Sequence, residues 1–566
     1  MKNLRLCWAA FGLCVSLGVS AQRDSCGTGV SWALADGTLT ISGEGNMTDF
    51  TDPRYGSSNL PSWDIYKDNI VKVVIEGGVK HVGSYAFYDY SNLQAVTFAE
   101  GVKSIGSSAF YGCEGIKELL FPSSMKIISG QHNTNEDAEP QVSTFGMGGT
   151  GTAYMSSEAF RGCAGLTSVT IPRGVIGVGS GTFKNCRNLK SVYWDVADYP
   201  SYGFSTANEN GFRDYGTQGS SPFSGCRLKE VVFGSEVDSI PGGLLYGQSE
   251  LSAIKFSGKT EYVGKDAFKE TVWFDNLPNG LVYIDKAAYA FKGLMSTPTA
   301  ISITEGTKSI TEGLFANQTY LTKVTVPSTL TYMGYEVFEG CRSLGEVEWN
   351  AEDCKFGQTY GAPFSATALY TITFGEKVRK IPDGLCSGCR YITEVKMPAS
   401  VVEVGESAFS DCSGLEAVGF SENMTSIEAR AFLDCAKLSE LILPNSLREI
   451  GENAFSGCTG LETLSIPESV DSIGRSAFYN TGLEILVFNA RNCMLVYESY
   501  STAFPSSVRE LEFGDAVECI PKYMCSKMTN LVKLKVGRNV REMPSNCFSN
   551  CKNLETVEWN AVSMED

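Results

Sequence analysis

Residues 408–478 read AFSDCSGLEAVGFSENMTSIEAR, AFLDCAKLSELILPNSLREIGEN, AFSGCTGLETLSIPESVDSIGRS and AF, successive copies of one unit about 23 residues long. With Phe455 as position zero, Cys458 falls at three, Leu461 at six, Leu464 at nine, Ile466 at eleven and Pro467 at twelve. Val470, Ile473 and Gly474 follow at fifteen, eighteen and nineteen, and Ala477 precedes the next anchor, Phe478. A fixed period in this range marks a solenoid, in which a single coil cannot bury its own apolar residues and stacked copies can. Leu464–Ile466 alternates with period two, as a short parallel strand does. Pro467 cannot donate to a ladder and ends that strand, as Pro122, Pro172, Pro327, Pro398 and Pro444 do in their coils. Gly at nineteen suits a turn where a side chain collides or φ is positive. Ser-x-x-Ala-Phe then predicts a short turn of helix or 3-10 helix. Each coil is therefore expected to hold one short strand, two bends and an irregular or 3-10 arc.

The anchor recurs from Phe87 to Phe548, with Phe291 among its copies and Leu245, Cys386 or Cys525 standing in for Phe. Stacked at ~4.8 Å per strand, the coils make a rod roughly 90 Å long. Two insertions, 129–156 and 196–222, are rich in Gly, Ser, Asn and Asp and read as long surface loops. A longer period overlies the first. EVEWNAEDC (346–354) followed by FGEKVRKIPDGLC (374–386) matches ILVFNARNC (485–493) followed by FGDAVECIPKYMC (513–525). The module begins again at Thr556–Ala561, and a bare strand edge there calls for Trp559 to pack over it or for a cap beyond it.

The chain has 566 residues, which ordinarily suggests several globular domains, but a solenoid grows in one dimension without enlarging its core. Charged residues make up 19% and hydrophobic ones 43%, the balance of an ordered chain. The net charge of −18 argues against nucleic acid, since nothing would neutralise a row of phosphates, and it leaves basic partners open beside plain solubility. Lys2 and Arg5 precede the apolar run Leu6 to Val19, and Val19-Ser20-Ala21 supplies small residues for cleavage. The expected organisation is a signal peptide over 1–21, a β-rich cap region over 22–66 and the solenoid over 67–566. Export to the extracellular space or outer cell surface follows. No later run reaches the roughly 18 apolar residues of a membrane helix.

The signature AFxxCxxLxxVxIPxSVxxIG resembles the BspA-like class of leucine-rich repeat proteins over roughly residues 70–561. WALADGTLTISGEGNMTDF (32–50) with PSW (61–63) resembles the β-rich lead-in of that class, and WFDNLPNGLVYIDKAAYAFKG (273–293) resembles an insertion in which a small strand pair replaces one coil. The resemblance implies a secreted or surface protein of a host-associated bacterium, adhesin-like, binding extracellular-matrix or other cell-surface proteins. No ligand-contact motif defines the class, so no binding residue carries over from it.

Ten cysteines share position three: Cys113, Cys163, Cys186, Cys226, Cys341, Cys389, Cys412, Cys435, Cys458 and Cys551. In an exported protein a disulfide framework is the first thought. A constant phase instead marks a small buried hydrophobe, and parallel Cβ vectors oppose bridging. The expectation is a reduced ladder rather than disulfides or metal. Cys26, Cys354, Cys493, Cys519 and Cys547 lie off the ladder. With only His81 and His132, neither beside a nucleophile motif, an enzyme is not expected, and no catalytic residue, metal ligand or cofactor is assigned. The acidic stretch 135–139 lacks the alternation of a calcium loop.

That leaves the outward strand positions seven, eight and ten as the candidate ligand face: Thr322, Lys323, Thr325, Glu346, Glu348, Thr393, Glu394, Lys396, Glu440, Glu462 and Thr463. This polar ladder lacks stacked aromatics and favours a protein partner over a glycan. A glycan site is the alternative, in the second insertion, at Tyr199, Tyr202, Phe204, Phe212 and Tyr215. A passive spacer that binds nothing is the third reading.

Overall fold

The computed structural model describes residues 22–55, 59–129, 157–197, 221–357, 362–496, 503–545 and 547–562. The described residues wind into a solenoid with almost no helix among them, and three rows of backbone hydrogen bonds run between successive coils. The first row is the expected strand at positions eight to eleven, paired parallel and in register, as in Thr463↔Ile485 and Ile466↔Phe488. The second row is unforeseen. A two-residue strand at positions seventeen and eighteen pairs without interruption from Lys380–Ile381 to Met494–Leu495. It forms because Ile473 and its equivalents must point inward while the chain is extended between two bends.

The third row lies at the anchors, where the N–H of Phe409, Phe432 and Phe455 donates to the carbonyl of Ala431, Ala454 and Ala477 at 2.7–2.8 Å. The expected turn of helix is absent here. Residues two before the anchor (Ser407, Arg430, Asn453) and two after it (Asp411, Asp434, Gly457) all have φ between +54° and +79°. A left-handed residue on each side of the anchor breaks any helical run, so the arc is a series of turns. Helical residues occur in the lead-in as 3-10 turns and at Val272–Asp275.

Anchor rings form columns inside. Phe87, Phe110, Phe160, Phe183 and Phe223 stack at 4.9–5.6 Å. Phe409, Phe432, Phe455, Phe478 and Phe504 do the same at 5.2–5.4 Å. Beside the rings the cysteine ladder has a chemical role beyond filling space. Thiols of the ladder donate to the anchor carbonyl one coil back, as Cys412 to Cys386, Cys435 to Phe409 and Cys458 to Phe432, at 3.1–3.2 Å. Where Gln248 replaces cysteine its amide does the same, donating to the Phe223 carbonyl at 2.8 Å. Position three thus gives the buried anchor carbonyl a second donor beside the N–H three residues on, as from Cys435 to Phe432 at 3.4 Å, a bond that contributes roughly 0.5–1.5 kcal/mol. The described cysteines are free thiols.

The glycine at nineteen answers the collision alternative. A Cβ on Gly474 would sit 2.4 Å from the Glu452 backbone nitrogen, and its φ is not left-handed. The longer period has a steric cause as well. Asn350 and Asn489 project over the next coil, where a Cβ on Gly375 or Gly514 would lie 2.3 or 2.0 Å from the amide oxygen.

The strand pair at 273–293 interrupts the stacking. Gly280–Ile284 and Ala287–Lys292 are antiparallel, and Ala287 pairs with Ser309 in the short ladder. Phe291 is therefore not an anchor as the repeat spacing suggested. It sits in a strand and meets Phe315 at a 48° tilt rather than stacked. The apolar core divides here, one cluster ending at Tyr289 and the other beginning at Ala288. At the N-terminal end Gln22–Gly27, Val30–Ala35 and Thr38–Gly43 form an antiparallel sheet whose last strand pairs parallel with Lys72–Ile75. Trp63, fully buried, closes the ring column 5.8 Å from Phe87. At the other end Thr556–Trp559 is exposed along its length, and Trp559 does not pack over the edge.

Candidate functional site: the outward strand face

The long strands turn positions nine and eleven into the core and leave the others outward, so one sheet face repeats along the coils. The predicted face residues all lie on it, in two unlike groups. Thr322, Lys323, Thr325, Glu346 and Glu348 are half-buried and bonded to neighbouring coils. Thr322 donates to the Thr299 carbonyl at 3.1 Å, Thr325 to Glu348 at 3.3 Å, and Lys323 faces Glu346 at 3.9 Å. Tyr370, exposed on the next coil, donates its hydroxyl to Glu346 at 3.1 Å. Thr393, Glu394, Lys396, Glu440, Glu462 and Thr463 are exposed, with Lys396 paired to Glu394 on the same strand at 3.0 Å.

Further along, the carboxylates divide again. Glu510 and Glu512 are neutralised by Lys533 and Lys535 of the next coil at 3.3 and 2.7 Å, and Glu416 by Lys437 at 3.4 Å. For Glu440, Glu462 and Glu484 no ion pair is found among the described residues. The polarity reading overlooked what stands beside them. Ile442 is 83% exposed and Ile485 42% exposed, with half-buried Val487 on the same face. Their outward phase was visible in the repeat spacing, Ile442 being at position ten; attention to polar residues passed over them. Strand pairing is interrupted here too. Glu440–Leu441 ends one sheet and Thr463–Ile466 begins another, while the Phe432–Phe455 stack and the short ladder continue.

The glycan candidates Tyr199, Tyr202, Phe204, Phe212 and Tyr215 lie outside the described residues, as do 1–21 and most of both insertions. Two of the described aromatics on the anchor side are occupied. Tyr88 and Tyr111 stack on each other at 4.5 Å, with the Arg54 and Arg161 guanidinium groups over their rings. Trp194 and Trp349 are fully buried.

Folding also assembles an arrangement that the sequence did not suggest. Ser104 meets His81 Nδ1 at 2.8 Å, and His81 Nε2 meets Asp49 at 3.2 Å. The order is that of a hydrolytic triad, yet Ser104 and His81 are 5% and 1% exposed, which leaves the hydroxyl no route to a substrate. The chain of bonds pins the lead-in to the first coils. Burial works to raise the Asp49 carboxyl, but the bonds from His81 and the Ser84 N–H hold it well below its ordinary value.

Two of the off-ladder thiols, Cys493 and Cys519, are likewise unsuited to nucleophilic work. Burial pushes Cys493 up to about 12. Burial, with Glu542 as hydrogen-bond partner, pushes Cys519 up to about 11. A thiol that is protonated near neutrality is a poor nucleophile. No group of three or more His, Cys, Asp or Glu suited to a metal occurs among the described residues, and no helix there is long and apolar enough to cross a membrane.

Several solved structures share the repeat. A leucine-rich repeat protein from Eubacterium ventriosum is 19% identical, covering 78% of this chain and 95% of its own, with a TM-score of 0.25. One from Bacteroides ovatus is 16% identical over 95% and 99%, with a TM-score of 0.23. A leucine rich cell surface protein from Faecalibacterium prausnitzii is 16% identical over 97% and 99%, with a TM-score of 0.22. At such scores they add no argument about function. A comparison with curated proteins gave no match. The profile of the BspA type leucine rich repeat region (six copies) matches residues 58–136, 153–289, 284–416, 379–504 and 498–564, nearly the whole solenoid. On its repeat, its ladders and that match, this chain belongs to the BspA-type leucine-rich repeat family.

Proposed function

We propose that the chain is an exported, non-enzymatic binding module that holds a protein partner along its outward strand face, in the manner of an adhesin. The observation that carries this is the face itself. Coils along the described solenoid fill their interiors and carry mostly polar residues at outward positions that the core does not need. A rigid, repetitive face suits a partner that makes many modest contacts. The leader-like residues at Lys2, Arg5 and Leu6–Val19 support display outside the cell. Purified full-length mature protein, tested by surface plasmon resonance against extracellular-matrix proteins, should bind, and more weakly as salt rises, because exposed charges are screened. The reading is lost if such proteins fail to bind at both low and physiological salt.

A further inference from the structure

The outward strand positions differ in charge along the chain. Between Gln94 and Lys255 they carry Lys117, Lys190, Lys229 and Lys255 against Glu118 and Glu230. On the coils anchored at Phe409, Phe432, Phe455 and Phe478 they carry Glu416, Glu440, Glu462 and Glu484 with no Lys or Arg. The surrounding stretch, residues 386–496, holds 15 Asp and Glu against 7 Lys and Arg, so its net charge of −8 is not confined to that column. Glu416 meets Lys437, and on other coils carboxylates of this face meet lysines too, whereas Glu440, Glu462 and Glu484 form no ion pair among the described residues. Within the same strip stand Ile442 and Ile485, exposed, and Val487. An exposed isoleucine inside an acidic column gains nothing for the fold, and the pair of features forms a surface with one sign of charge and an apolar centre. The interrupted pairing between Glu440–Leu441 and Thr463–Ile466 falls beside Ile442.

Resting on the reading of this face as protein-binding, we infer that the strip from Glu440 to Val487 docks an extended, cationic protein segment carrying an apolar side chain. Carboxylates one coil apart repeat at ~4.8 Å, and alternate side chains of an extended segment repeat at ~6.6 Å. A segment lying with one backbone edge toward the face splays alternate side chains to its two sides, so flexible Lys or Arg stems reach the glutamates at positions seven and eight while the intervening side chains reach Ile442 and Val487 at position ten. A divalent cation fits poorly, because it needs several oxygens converging on one point and these carboxylates are set in a row. Nucleic acid has the wrong sign. Burial of Ile442 supplies the non-polar contact, and the carboxylates steer the approach and fix the register.

The probe is a synthetic peptide, KLKLKLK, with ELELELE and KGKGKGK as counterparts, titrated into the full mature chain by fluorescence anisotropy at low and physiological salt. KLKLKLK should bind at least tenfold more tightly than either counterpart. Glu440→Gln with Glu462→Gln and Glu484→Gln should weaken it about tenfold, and Ile442→Ser about threefold. Glu118→Gln with Glu230→Gln should leave it unchanged. All these positions are exposed or half-buried, so an unchanged thermal midpoint certifies each variant as folded. Equal binding by wild type and the triple variant, or equal binding of KLKLKLK and KGKGKGK, overturns the inference. The matrix-protein experiment separates it from the broader reading. A matrix protein that the triple variant still holds leaves the face as a binding surface and removes this strip from it. Glu-dependent peptide binding without any matrix partner does the reverse.

Discussion

The coils before the strand pair at 280–292 and those after it share one interior and differ outside. Phe160 and Phe455 sit in equivalent ring columns, both fully buried, and Cys163 and Cys458 donate to equivalent carbonyls at 3.3 and 3.2 Å. Outward, the first set mixes lysine with glutamate around Tyr193, while coils 432–478 present, around Ile442, Glu440, Glu462 and Glu484, which form no ion pair among the described residues. The interior obeys the stacking repeat and has little freedom. The outward positions contribute little to folding and are where two stretches of one solenoid diverge. Function is sought in that divergence.

The comparison breaks first if the interiors are not equivalent. Phe160→Ala and Phe455→Ala should each cost about 3–5 kcal/mol, measured by denaturant unfolding with local protection followed by hydrogen exchange, because each leaves a cavity in a ring column. A cost at one site less than half that at the other would show that the columns are not alike. Next in size, Cys163→Ala and Cys458→Ala should each lose about 0.5–1.5 kcal/mol, since the previous anchor's carbonyl loses one donor and keeps only the N–H of Cys113 or Cys435 at 3.4 Å. Gln at these positions should recover part of the loss, as Gln248 does naturally. Failure of Gln to help at either site would reduce the ladder to packing.

A smaller effect is confined to the N-terminal set. The Asp49 carboxyl is held below its unfolded value, so its contribution is present above pH ~4 and fades as pH falls further. Its side chain is 47% exposed, so the loss should not exceed about 1 kcal/mol. Asp49→Asn should flatten the acid limb of a pH–stability curve for the lead-in; an unaltered limb would assign acid sensitivity elsewhere. Smallest is Lys533→Ala with Lys535→Ala, which frees Glu510 and Glu512 and extends the acidic strip. Stability should move by less than about 1 kcal/mol for such exposed pairs. Affinity for the KLKLKLK probe should rise about twofold, and a fall would mean that the strip ends at Val487.

Much of this was legible in the chain because a repeat states each instruction many times. The anchor, the leucine at six, the proline at twelve and the glycine at nineteen placed the long strand and the inward face correctly. The arc was misjudged because Ala-Phe after Ser favours helix locally, whereas left-handed residues such as Ser407 and Asp411 are imposed by stacking. Phe291 misled for a related reason. Its spacing fits the repeat, but an antiparallel partner, Leu281, holds it in a strand. At the face, polarity identified Glu440 and Glu462, while the pairing that spares them and neutralises Glu512 needed the register between coils.

By itself the sequence determined the period, the solenoid, the inward set and the phase of the cysteines, since these depend on distances along one chain. Tertiary structure alone decided the short second ladder, the thiol-to-carbonyl bonds, the Ser104–His81–Asp49 chain and which carboxylates remain without a cation. Each of these is a contact between coils about 23 residues or more apart, and such contacts exist only once the coils are stacked.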